Sequence, residues 1–148
     1  YLIGLLVFMV LTILFSGFSA GAVGNLVDPQ SLLVILLVTI PVVLLAGSGK
    51  DFVNAFKLTV TKQKEVDIAE LKKASAAISL VMKTILYSGV FGSLLVCIAL
   101  LRQMDDPAAL GPHIMGALIA LLYAMIFNIM LLPIKAKVDK MIIEYLHE

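Results

Sequence analysis

Few side chains in this sequence are candidates for chemistry, and most of those fail on spacing. Gly47-Ser48-Gly49-Lys50 echoes a phosphate-binding loop. It lacks the first glycine at the required distance and the Ser or Thr that should follow the lysine, so it reads as a helix stop. His113 and His147 have no second ligand nearby, and no metal site is expected from them. No serine stands with a histidine and a carboxylate at a depth suited to acyl transfer, so no enzyme is expected. The single cysteine, Cys97, lies in an apolar stretch and has no intrachain partner, so it says nothing about redox compartment. Thr39, Ser88, Ser93 and Asn128 are among the polar groups left inside apolar tracts.

The elements that hold these groups follow from composition. The chain has 148 residues, 61% hydrophobic and 14% charged, with mean hydropathy +1.10. Such figures exclude a soluble domain, a disordered tail and a disulfide-built secreted module. They predict an all-α membrane protein forming a single domain over 1–148. A helix needs roughly 20 apolar residues to cross the hydrocarbon core. Charge-free tracts accordingly predict four transmembrane helices, at about 2–27, 31–46, 84–101 and 114–134. The first tract is about twice the length of a signal-peptide apolar region, so it reads as a span. The chain opens on Tyr rather than Met.

Charge sets the orientation. The middle segment Gly47 to Lys73 holds six lysines, and the stretch after Pro133 holds three more. Lys83 falls on the same side, whereas the opposite side carries only Arg102, against Asp105 and Asp106. Cytoplasmic loops carry the excess of Lys and Arg. Segments 47–83 and 135–148, and both termini, are therefore expected in the cytoplasm. No basic stripe interleaved with aromatics exists, so nucleic acid is not an expected partner. Asp51 to Lys62 and Glu65 to Ala77 read as short cytoplasmic helices, the second leading into the third span. Ile134, Val138, Met141, Ile142, Tyr145 and Leu146 recur at helical spacing and predict an amphipathic C-terminal helix.

An absence is the most informative feature of the spans. None holds an Asp, Glu, Lys or Arg in its interior, although such residues normally mark proton and ion relays. If the chain conducts ions, another chain must supply the titrating carboxylate. Small residues form rows instead. Gly116, Ala120, Ala124 and Asn128 lie on one face of the fourth span. Gly89, Ser93 and Cys97 form a row in the third, beside Ser88 and Gly92. Small residues let helix backbones approach closely in lipid. The rows serve either packing within one bundle or a smooth wall for a partner helix, and spacing alone does not separate the two.

Several motifs together resemble the MotA branch of the MotA/TolQ/ExbB ion-channel family. Asp28-Pro29-Gln30-Ser31-Leu32-Leu33 and Asp51-Phe52-Val53-Asn54-Ala55-Phe56-Lys57 match the turn into the second span and the cytoplasmic entry after it. The second half adds Gly92-Ser93, the block Asp105-Asp106-Pro107-Ala108-Ala109-Leu110-Gly111-Pro112, then Tyr123, Asn128 and Leu132-Pro133-Ile134. The resemblance implies a four-span A subunit of the bacterial inner membrane. It implies a pentamer around two helices of a single-span MotB, ExbD or TolR-like B subunit that carries the ion-binding aspartate. It also implies that Gly89, Gly92, Ser93, Gly116, Ala120, Tyr123, Ala124 and Asn128 face the ion pathway or the partner helices.

Departures from the pattern refine the expectation. Fewer than forty residues, Gly47 to Lys83, replace the long cytoplasmic region of flagellar stator subunits. That leaves little to push a rotor and favours force transfer to the envelope. A flagellar role with reduced contact through Lys62 to Lys83 and the tail after Ile134 is the alternative. Leu86 stands where the family has a proline, Leu37-Val38 where it has Gly-Gly, and Ala120-Leu121 where it has two threonines. Ser93 keeps the hydroxyl of the third span. Fewer oxygens to strip water from Na⁺ favour H⁺ as the transported ion, and no cofactor is expected. A small transporter or scaffold working without a B subunit would need a polar pocket near mid-membrane.

Overall fold

The computed structural model describes residues 4, 10, 28–60, 67–102 and 107–147. Four helices make up the fold over these residues: α1 Pro29–Leu45, α2 Gly49–Val60, α3 Ile68–Leu101 and α4 Pro107–His147. The expected first span, 2–27, lies outside the described residues apart from positions 4 and 10.

Local chemistry sets the start and stop of α1. Asp28 is its N-cap, accepting from the backbone N–H groups of Gln30 and Ser31, and Pro29 opens the helix where a missing N–H costs nothing. At the other end Gly47 has φ +65°, so a side chain there would be strained. Its N–H donates to the Leu44 carbonyl (3.0 Å), and the Ser48 N–H donates to that of Val43 (3.2 Å). This pair of bonds is a Schellman stop. Ser48 then accepts from the Phe52 N–H at 2.9 Å and starts α2, which leaves α1 at an angle of 99°. The helix stop read from Gly47-Ser48-Gly49-Lys50 is therefore a sharp turn between two helices.

α2 is amphipathic. Ala55 and Leu58 are buried in the core, and Phe52 and Phe56 pack against it, their two rings meeting edge to face at 5.1 Å. Lys50, Val53, Asn54 and Lys57 remain exposed.

The long helices are continuous, as expected from Glu65 to Ala77 leading straight into the third span. α3 runs unbroken for 34 residues from an Asp67 N-cap. No Gly or Pro interrupts Ile68 to Ser88, so nothing ends the helix where its surroundings change from water to lipid. α4 likewise runs for 41 residues through Pro112 and Pro133 and absorbs the amphipathic C-terminal helix. At 1.5 Å per residue both outreach a hydrocarbon core of about 30 Å. Two described helices, Ile68–Leu101 and Leu110–Leu146, are long and apolar enough to cross a membrane, or three spans if the bent α1–α2 pair counts as one.

α3 and α4 form an antiparallel hairpin, with α1 laid against both. Ile35, Ala74, Ile78, Ala124 and Val138 are fully buried or nearly so. Beyond the apolar tracts the hairpin is tied by polar contacts. Ser75 donates its hydroxyl to Asp139, whose other oxygen receives Lys135 at 2.6 Å. Lys137 donates to the backbone carbonyl of Thr59 and pins α2 to α4.

Candidate functional site

Close approach of α3 and α4 depends on the small residues. A β-carbon built on Gly89 would lie 2.3 Å from that of Ala124 and 3.1 Å from the Ala120 carbonyl oxygen. One on Gly92 would meet Val34 at 3.3 Å and Ala120 at 3.7 Å. Gly89, Gly92, Ala120 and Ala124 are thus buried where α3 meets α4 and, at Gly92, α1. Gly116 is half-buried, with Val96 the nearest side chain to its missing β-carbon at 3.7 Å. Along the third-span row the environment changes: Gly89 is buried, Ser93 half-buried and Cys97 exposed.

The polar groups of the tracts sort by their hydrogen bonds. Thr84 donates to the Leu80 carbonyl at 2.8 Å, Ser88 to that of Ile85 at 2.9 Å, and the Asn128 amide to that of Ala124 at 2.9 Å. These side chains bond back to their own helices, which satisfies them in an apolar surround. Thr39 and Ser88, both buried, bring their hydroxyls to 3.5 Å and link α1 to α3. Ser93 differs. Its half-buried hydroxyl has no hydrogen-bond partner among the described residues.

Tyr123 is bound to a residue 95 positions away. Its hydroxyl oxygen accepts the Asp28 backbone N–H at 2.8 Å, tying the cap of α1 to the middle of α4. The expectation for Tyr123 rested on the family pattern alone and did not foresee this bond. The Asp-Pro pair is an N-cap signature, so the cap was readable in the sequence. Its tie to α4 was not.

A cleft of about 570 Å³ opens between α1, α3 and α4 at their Asp28, Ala99 and His113 ends. Asp28, Gln30, Ser31 and His113 are its polar lining, and Gly92, Gly116 and Ala120 lie along its walls. The structure therefore brings Gly92, Gly116 and Ala120 to one cleft, while Ser93, Tyr123, Ala124, Asn128 and Gly89 are not among its lining residues. Among the described residues no group of His, Cys, Asp and Glu is placed to hold a metal ion.

Outside the apolar tracts one carboxyl is shifted. Burial pushes Asp139 towards protonation, but the hydrogen bonds from Lys135 and Ser75, with the lysine charge, outweigh it and hold the carboxyl below its ordinary value.

The family model for the MotA/TolQ/ExbB proton channel family matches residues 42–148. No curated protein and no solved structure matches the chain.

Proposed function

Because the chain belongs to the MotA/TolQ/ExbB proton channel family, we propose that it is the A subunit of a proton-driven rotary motor in a bacterial inner membrane. Five copies surround two transmembrane helices of a MotB, ExbD or TolR-like B subunit, and the B helices bring the titrating aspartate. The observation that carries this reading is that the apolar tracts hold no Asp, Glu, Lys or Arg. Moving a proton through hydrocarbon needs a group that can bind it at depth, so the carboxylate must come from another chain. The chain itself performs no covalent chemistry and uses no cofactor.

Within that reading Ser93 is the group that meets the partner carboxylate, since its hydroxyl is not spent on its own helix. Gly92 and Gly116 line the cleft between α1, α3 and α4, which Ser93 does not line. Gly89, Ala120 and Ala124 set how closely α3 and α4 approach, and so where the cleft wall stands. Tyr123 and Asn128 hold the backbone of the same region through the Asp28 N–H and the Ala124 carbonyl. The lysine-rich 47–83 segment and the termini face the cytoplasm, in line with the charge asymmetry. The span from Gly47 to Lys83 is short, and the work is force transfer to the envelope.

Proton flux in proteoliposomes tests the reading. The chain with its B subunit conducts protons under an imposed pH gradient, and the chain alone does not. Equal flux from the chain alone would overturn it.

A further inference from the structure

The exposed face of α2 lies outside the motor reading. The register of the bundle gives its height. Thr39 against Ser88 aligns α1 with α3, and Gly89 against Ala124 with Ser75 against Asp139 aligns α3 with α4. In that register Lys83 stands level with Leu44 and Leu131. Lys50, Lys83 and Lys135 are the first cations beyond the apolar tracts of α1, α3 and α4. They mark one edge of the hydrocarbon slab, and α2 begins there.

The 99° turn at Gly47 then lays α2 along that edge instead of continuing into water. Its inner face is occupied, with Ala55 and Leu58 buried and Thr59 held by Lys137. Its outer face carries Lys50, Val53, Asn54 and Lys57, at the i, i+3, i+4, i+7 spacing of one helical stripe, and all four are exposed. Asp51, the one acid in α2, stands off this stripe. The stripe therefore has two cations a helical repeat apart, with a 54%-exposed apolar side chain, Val53, between them.

We propose that this stripe binds the phosphate headgroups of anionic phospholipid in the adjoining leaflet. Lys50 and Lys57 engage the phosphates, and Val53 enters the acyl boundary. A helix lying in the interface with basic residues and an apolar contact is held by both attractions. Each lysine near an anionic surface contributes about a fivefold preference. The proposal rests on the reading above only for which leaflet is concerned.

Native mass spectrometry of the full chain in detergent tests it, with palmitoyl-oleoyl phosphatidylglycerol and the matching phosphatidylcholine as probes. The protein retains the anionic lipid over the zwitterionic one. Lys50→Gln with Lys57→Gln lowers that retention about 25-fold, at about fivefold per lysine. Asn54→Lys, which adds a third cation to the stripe, raises it about fivefold, a gain that misfolding cannot produce. Lys140→Gln, which removes an exposed cation elsewhere, leaves retention unchanged. Three outcomes would overturn the proposal. They are equal retention by wild type and the double variant, an equal loss in Lys140→Gln, and a changed copy number with unchanged lipid binding, which would assign the stripe to a second copy of the chain. Copy number is read in the same spectra, so a monomer that still prefers phosphatidylglycerol would contradict the motor and leave the lipid stripe standing.

Discussion

Gly89 and Ala124 face each other so closely that a β-carbon on the glycine would sit 2.3 Å from the alanine methyl. Neither group can rotate away, because each is fixed to its helix backbone. Gly89→Ala therefore forces α3 and α4 apart. The overpacking cost of about 1–3 kcal/mol exceeds the gain of up to about 1 kcal/mol from replacing a helical glycine. Thermal unfolding in detergent should show a lower Tm for Gly89→Ala and partial recovery when Ala124→Gly is added. Gly92→Ala should be nearly neutral, since its tightest contact is the Val34 methyl at 3.3 Å and Ala120 stands at an ordinary 3.7 Å. Equal Tm for wild type and Gly89→Ala would contradict the helix approach described.

The bond from the Asp28 N–H to Tyr123 makes a separate prediction. Tyr123→Phe removes the acceptor and leaves a part-buried N–H unsatisfied, a loss of about 1–2 kcal/mol. Asp28→Ala removes the cap of α1 and costs about 1 kcal/mol. Hydrogen exchange should show faster opening of the first turn of α1 in both variants. Unchanged exchange there in Tyr123→Phe would remove the tie from the account.

Asp139 should make the lower end of the hairpin sensitive to acid. Its carboxyl is held below the ordinary value of 3.8, so it binds protons less readily folded than unfolded. The stability it contributes is present above pH 3.8 and is lost as pH falls through its depressed folded value. In Asp139→Asn the tie between residues 75 and 139 should be weaker at neutral pH and should no longer change with acid. Spin-label distances between the lower ends of α3 and α4, followed from pH 6 to pH 3, check this. An identical acid response in wild type and Asp139→Asn would assign the effect to other groups.

Ser93 and Gly116 test the partner-facing wall without breaking the bundle. Ser93→Ala should lower proton flux in the reconstituted complex about tenfold or more while copy number and partner binding stay unchanged, a change that corresponds to about 1.4 kcal/mol or more. Gly116→Leu should weaken partner binding by adding bulk to the wall, and among the described residues a β-carbon at Gly116 meets nothing closer than Val96 at 3.7 Å. Ala120→Leu is a poorer test, since Ala120 is 2% exposed and its bulk would first disrupt the contact with Gly92. Full flux in Ser93→Ala would remove that hydroxyl from the pathway.

Much of this architecture was legible in one dimension. Charge-free tracts located α1 and the apolar parts of α3 and α4, because hydrocarbon excludes charge over a fixed length. The glycines at Gly47 and Gly49 marked the end of α1, because a left-handed residue closes a helix. The continuity of α3 was legible because Lys72, Lys73 and Lys83 change its surroundings without breaking its backbone, and no Gly or Pro interrupts Ile68 to Ser88. The rows of small residues showed that something packs closely, and the structure identifies one occupant, the facing helix of the same chain, at Gly89, Ala120 and Ala124. The Asp28–Tyr123, Thr39–Ser88 and Ser75–Asp139 contacts join residues far apart in sequence. No local pattern encodes them, because they depend on the register of one helix against another.

The central claim is that this chain is the A subunit of a motor completed by a second chain. Native mass spectrometry of the detergent-purified protein, alone and co-expressed with its candidate single-span partner, tests it most directly. The account predicts five copies that gain two partner chains on co-expression. A monomer or dimer that takes up no partner would contradict it.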